Sequence, residues 1–332
     1  MNKLAALALA PCLALSLGAQ TVTLKLATLV PQNSSWFRIL QEMGTEWEKA
    51  SGGRVKVVFY PGGRMGDDND VIRKMRLGQL QGAVLASPGL AEIDRSVYAL
   101  SIPLAFESTD EVYRVLDRLR PGLERTFESK GFVVLNWADG GWVRFFARRP
   151  VAGPEDLKAQ KFFQWQGDTH TLEIWKTAGF NTVPAPAPEL TTGLQTGLLD
   201  AFLTSPQVVL IMRYFEKAPH MTDLRWAMIM AGTVVRKDAW EKVPADVRPA
   251  LLKAAQDAAG RLRRDMAASE ATDIEALKRA GLKVVPVDAR ARTRWEDMLR
   301  GAHGKIRGAY VSAQAYDEAM AIRDELRKGG RR

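Results

Sequence analysis

Two segments far apart in the chain match each other, and the match constrains the fold more than any other feature. Leu77–Pro88 reads LGQLQGAVLASP and Thr196–Pro206 reads TGLLDAFLTSP. In each, a helix-like run stops at a glycine, Gly78 or Gly197, and a short apolar run closes on Ser87-Pro88 or Ser205-Pro206. Glycine is a common helix stop, a short apolar run is consistent with a buried strand, and proline suits the first turn of the next helix. One supersecondary unit used twice predicts two similar α/β lobes. Ligands collect beyond the carboxyl ends of strands in open α/β sheets, so the units predict a cleft between the lobes with both Ser-Pro corners near it.

The chain of 332 residues, with 46% hydrophobic and 26% charged side chains, is long enough for two cores and too apolar for general disorder. Residues 1–19 stand apart. Lys3, the apolar run Leu4–Leu17 and the small residues up to Ala19 predict a secretory signal peptide cut near Ala19. Cys12, the single cysteine, lies in that run behind Pro11, where lipid attachment would want a small residue, so a lipoprotein is not expected. The mature chain would then carry no thiol and no disulfide. The formal net charge of +9 is spread out except at Arg327, Lys328, Arg331 and Arg332, and no dense stripe suggests nucleic acid as a partner.

Periodicity predicts strand, helix, strand, helix over Val22–Leu29, Trp36–Trp47, Val55–Tyr60 and Asp67–Leu77. The acidic cluster Asp67, Asp68, Asn69, Asp70 lacks the glycine and distal glutamate of a calcium loop and is better read as helix capping. A helix over Thr109–Lys130 and a strand over Phe132–Trp137 follow. Gly140-Gly141 then permits a change of direction, where the first crossing between lobes is expected. The chain returns near Trp226–Val235. Apolar residues from Leu251 to Leu277 sustain one helix over Ala245–Ala280, roughly 50 Å long at 1.5 Å per residue, which outruns one lobe and predicts a rod lying across both. A strand over Lys283–Val287 and two helices complete the fold. The expected division is a signal peptide at 1–19, lobe I at 20–140 and 232–332, and lobe II at 141–231.

No nucleophile elbow, phosphate loop or metal-ligand spacing occurs, and the three histidines, His170, His220 and His303, are scattered. No enzyme activity, cofactor or metal is expected. Asp168, two residues before His170, reads first as a helix N-cap. Aromatic residues are the denser signal. Trp137, Trp142, Phe145, Phe146, Phe162, Phe163, Trp165 and Trp175 fall around the proposed crossing; about half are expected in the core and at least one in the cleft.

Three strings carry a family resemblance: GGRVKVVFYPGGRMGDDNDVIRKMRLGQL, PEDLKAQKFF and AGFNTVPAPAPELTTGLQTGLLD. Together, in order and spacing, the chain resembles the solute-binding receptors of TRAP transporters, the DctP type, from about Leu24 to beyond Trp240. The resemblance implies a periplasmic binding protein of two α/β lobes joined by hinge strands and a long helix, delivering a small molecule to a membrane permease. It also implies an arginine two residues after the second lysine of the PEDLKAQK segment, Lys161, pairing with a ligand carboxylate. Phe163 occupies that place, and a phenyl ring offers no charge-assisted hydrogen bond. Ala187 stands where relatives often carry a stacking aromatic residue, and Ser205 where they carry asparagine. These departures resemble the subgroup with hydrophobic clefts and helical-repeat partners, so a neutral, amphipathic or apolar ligand is expected. Candidate walls are Trp36, Trp137, Trp142, Phe163 and Trp165. Candidate polar contacts are Asn33, Ser87, Asp168, Ser205 and Gln207. The rival expectation is an organic acid held by Arg144, or a sensory binding protein of the same fold.

Overall fold

The computed structural model describes residues 21–329; the signal-peptide reading and Cys12 lie outside the described residues. Ten strands form one continuous sheet system: β1 (Val22–Thr28), β2 (Val55–Tyr60), β3 (Gly82–Ala86), β4 (Phe132–Ala147), β5 (Phe162–Trp165), β6 (Thr182–Ala185), β7 (Ala201–Thr204), β8 (His220–Thr222), β9 (Ala227–Arg236) and β10 (Lys283–Val285). The main path runs β2-β1-β3-β9-β4-β7-β5-β6. β1 pairs in parallel with β2 and β3, and β5 in parallel with β6 and β7, so each lobe has its own parallel core. The long antiparallel strands β4 and β9 join them.

The matching segments do what their residues require. Gly78 and Gly197 both adopt left-handed backbone, at φ +78° and +74°, where a side chain would be strained. β3 and β7 follow, and helices Ser87–Ile93 and Pro206–Met212 open on the prolines. The expected long helix spans Arg248–Arg279 and packs Leu251, Ala255, Ala258 and Leu262 against the first lobe and Leu277 against the second.

Two features differ from the sequence expectation. The strand expected to stop before Gly140 continues as one element to Ala147, and the glycines accommodate a register shift between Asp139 and Trp142 rather than a turn. Gly141 (φ +81°) lies so close to the long helix that a Cβ there would come within 2.7 Å of Met266 Cε. The second difference is that β10 and much of the helix after it pack on the second lobe, with Leu299 touching the cores of both. β10 pairs with β8, and Trp295, on helix Ala289–Gly301, is fully buried against Phe145 with ring centroids 4.9 Å apart. The chain rejoins the core of the first lobe at Ile306, Tyr310 and Val311, and helix Ala313–Gly329 adds Ala319 and Ile322 to it.

Candidate functional site

The strand ends of the two sheets face each other across a cavity of about 170 Å³. Ser87, Pro88 and Tyr98 line it from the first lobe, and Phe163, Gln164, Trp165, Asp168, Thr171, Trp175 and Trp226 from the second. Its floor is Met298, Leu299, Ala302, Ile306 and Tyr310 of the C-terminal helices. An apolar cavity of about 150 Å³ accepts benzene, so this one has room for a ring or a compact sugar-sized molecule. Among the described residues, Asp168 is the single formally charged one in the lining, and no lysine, arginine or histidine contributes.

The lobes are closed over this space. Tyr98 OH donates to Asp168 Oδ2 at 2.6 Å, and Ala187 N donates to Asp67 Oδ2 at 3.3 Å. Gly167 meets Asn69 so closely that a Cβ at 167 would lie 1.4 Å from Asn69 Nδ2. Gly167 and Ala187 leave room for the Asn69 and Asp67 side chains to reach the backbone of the other lobe.

At the rim, Asp68 is buried beside Asp67, with its carboxyl accepting from Ala86 N at 3.3 Å. Burial first, and the neighbouring Asp67 charge second, push Asp68 up to about 8. The folded chain therefore holds a proton that the unfolded chain releases near pH 4. The stability this proton contributes is whole below about pH 4 and falls by about 1.4 kcal/mol per pH unit until about pH 8. Asp68→Asn keeps an acceptor for Ala86 N but does not titrate, so its stability relative to the native protein should rise steadily from pH 5 to pH 8 in urea unfolding. A flat difference across that range would contradict the protonated assignment.

The eleven residues singled out from sequence are dispersed. Ser87, Phe163, Trp165 and Asp168 line the cavity. Ser87 is nevertheless occupied: its hydroxyl accepts from Met230 N at 2.8 Å and lies 3.1 Å from Met230 O, fastening the end of β3 to β9. Asp168 caps helix Thr169–Thr177 through Thr171 N, as expected, and its other oxygen reaches across the cleft to Tyr98.

Trp142, Ser205 and Gln207 line a separate space of about 20 Å³ beside the long helix, which holds no more than a water. Trp142 Nε1 donates to Thr109 Oγ1, and Gln207 Nε2 to Ser269 Oγ. Asn33 is exposed and Trp36 rests on Met266, both outside the cavity. Trp137 is a core residue, edge-on to Phe127 with its indole N–H on Glu124.

Arg144 is also outside the cavity. It is buried on the long-helix side of β4, with Nη1 3.2 Å from Asp223 Oδ1 and Nη2 3.0 Å from Glu270 Oε1. Sequence reasoning missed Tyr98, Trp226 and the whole C-terminal floor. Met298, Leu299 and Ile306 read as the apolar side of ordinary helices, and only their placement beneath the strand ends makes them cavity walls.

The family model for bacterial extracellular solute-binding protein, family 7 (DctP), matches residues 26–307. The chain belongs to this family. Its members are solute receptors rather than enzymes. The chain is 26% identical over 235 residues to the 2,3-diketo-L-gulonate-binding periplasmic protein YiaO of Escherichia coli K12, covering 70% of this chain and 71% of that protein. It is 24% identical over 265 residues to the C4-dicarboxylate-binding periplasmic protein DctP of Rhodobacter capsulatus, covering 78% of each. Among solved structures, a TRAP periplasmic solute-binding protein from Xanthobacter autotrophicus Py2 with bound beta-D-galacturonate superposes with a TM-score of 0.80 at 23% identity, covering 91% of this chain and 99% of that one. The two-lobed α/β receptor fold is thereby shown.

Proposed function

We propose that this DctP-family protein is an exported, periplasmic receptor of a TRAP-type transporter, which closes its lobes over one small organic molecule and presents the closed complex to a membrane permease. The observation that carries this is the cavity between the strand ends of the two sheets, bridged across the cleft by Tyr98 and Asp168. Relatives give no support to a helical-repeat partner.

On ligand class the relatives favour an organic acid, because theirs are 2,3-diketo-L-gulonate, C4-dicarboxylates and beta-D-galacturonate. That favours the rival expectation over the neutral, apolar ligand inferred from Phe163. For Arg144 to serve an acid here, it has to exchange Asp223 or Glu270 for the ligand. A second reading, a ligand without net negative charge, is supported by the cavity lining, whose single charge is the carboxylate of Asp168. Enclosing an unpaired carboxylate beside another costs several kcal/mol.

A thermal-shift panel separates the two. A ligand at a hundred times its Kd adds about 2.7 kcal/mol of stability, enough for a clear shift. Galacturonate, glucuronate and succinate raising the melting temperature support the acid; a shift confined to solutes without net negative charge supports the second reading. No shift with any class overturns the receptor proposal.

A further inference from the structure

We propose that Asp168 is the specificity-determining residue of the cavity and that the ligand presents to it an organic ammonium group, with an apolar or aromatic body against the tryptophans. The inference rests on the second ligand reading above. Three independent observations carry it. Among the described residues, the cavity lining has one formal charge, negative, and no cation that could balance an anionic ligand. Asp168 is only half used: Oδ1 accepts from Thr171 N at 3.0 Å and Oδ2 from Tyr98 OH at 2.6 Å, while a carboxylate offers about four acceptor sites. The surrounding walls are aromatic, with Tyr98, Trp165, Trp175, Trp226 and Tyr310 all in the lining.

A carboxylate in a cavity with aromatic and apolar walls is the chemistry that recognises an ammonium group on an apolar body, since the carboxylate supplies the counter-charge and the walls take the body. A sugar acid asks for the opposite arrangement. The bond from Tyr98 also makes recognition part of closure. Tyr98 belongs to the first lobe and Asp168 to the second, so an ammonium group seated on Asp168 sits beside the contact that joins them. Stacking of Tyr98 on Tyr310, with centroids 4.0 Å apart, fixes the donor's direction from behind.

The test uses three solutes with one body and different heads, 2-phenylethylamine, 2-phenylethanol and phenylacetate, titrated calorimetrically into the full-length mature protein and into Asp168→Asn. Asparagine caps helices as well as aspartate and can still accept from Tyr98, so the variant is expected to fold with unchanged unliganded stability. In the native protein the amine should bind at least about ten-fold more tightly than the alcohol, and phenylacetate weakest. Asp168→Asn should weaken the amine by about ten- to a hundred-fold and leave the alcohol within about three-fold. The inference is overturned if phenylacetate or galacturonate outbinds the amine, if none of the three binds, or if Asp168→Asn leaves their order unchanged. Galacturonate or succinate binding alone overturns it while keeping the receptor proposal; binding of no solute at all removes both.

Discussion

Gly167→Val is expected to weaken ligand binding by about ten- to a hundred-fold while leaving the melting temperature of the ligand-free protein unchanged. Gly167 lies on the second lobe where it meets Asn69 of the first, and a Cβ there would lie 1.4 Å from Asn69 Nδ2. The clash exists only when the lobes are together. A strained contact of this kind costs about 1–3 kcal/mol, and a penalty confined to the closed state reduces apparent affinity by the fraction of closed protein it removes. Because the backbone at Gly167 is not left-handed, the substitution brings no local strain in the open form. The double variant with Asn69→Gly should recover most of the affinity in the same calorimetric titration. If Gly167→Val binds normally, the closed arrangement is not the one that holds ligand.

Arg144→Ala carries the second large effect, and it falls on stability. The guanidinium is buried and bridges β4 to Asp223 and to Glu270 on the long helix, while Glu270 also accepts from Arg225 at 2.6 and 3.1 Å. Removing one partner of a buried pair typically costs about 3–5 kcal/mol. Glu270 keeps Arg225, and Asp223 is exposed enough to be rehydrated, so the lower end is expected, a fall of roughly 4–5 °C in a chain this size. Arg144→Met, which refills the space beside β4, should lose less than alanine. Binding distinguishes the ligand readings. An acid held by Arg144 requires both variants to lose it; a ligand seated on Asp168 requires both to retain it within a few-fold at a temperature where they are folded.

The elements legible from sequence are those whose signals are local. Gly78 and Gly197 need left-handed backbone, Pro88 and Pro206 suit first turns, and the apolar rhythm from Leu251 to Leu277 is a helix wherever it lies. Asp168 as an N-cap is legible for the same reason, being decided by a bond three residues away. The rest depends on partners remote in sequence. Arg144 reads from sequence only as a rival carboxylate ligand, and its contact with Glu270, 126 positions later, is not visible in any local pattern. The strand through Gly140-Gly141 is held straight by β9, almost ninety residues on, so two glycines that would turn a free chain only bulge a paired one. The strand at Lys283–Val285 is legible, but its pairing with β8 and the packing of Ile306 and Tyr310 into the first-lobe core, which place the floor, depend on partners remote in sequence.

Hydrogen exchange with and without a saturating ligand tests the central claim, that solute is held in the cavity between the strand ends of both lobes. Slowed exchange in both Ser87–Leu100 and Phe162–Thr177 is the result this account predicts, with the segment around Trp142 and that around Ser205 little changed. Protection confined to one lobe, or centred on Trp142 and Ser205 while Phe162–Thr177 exchanges as before, would contradict it.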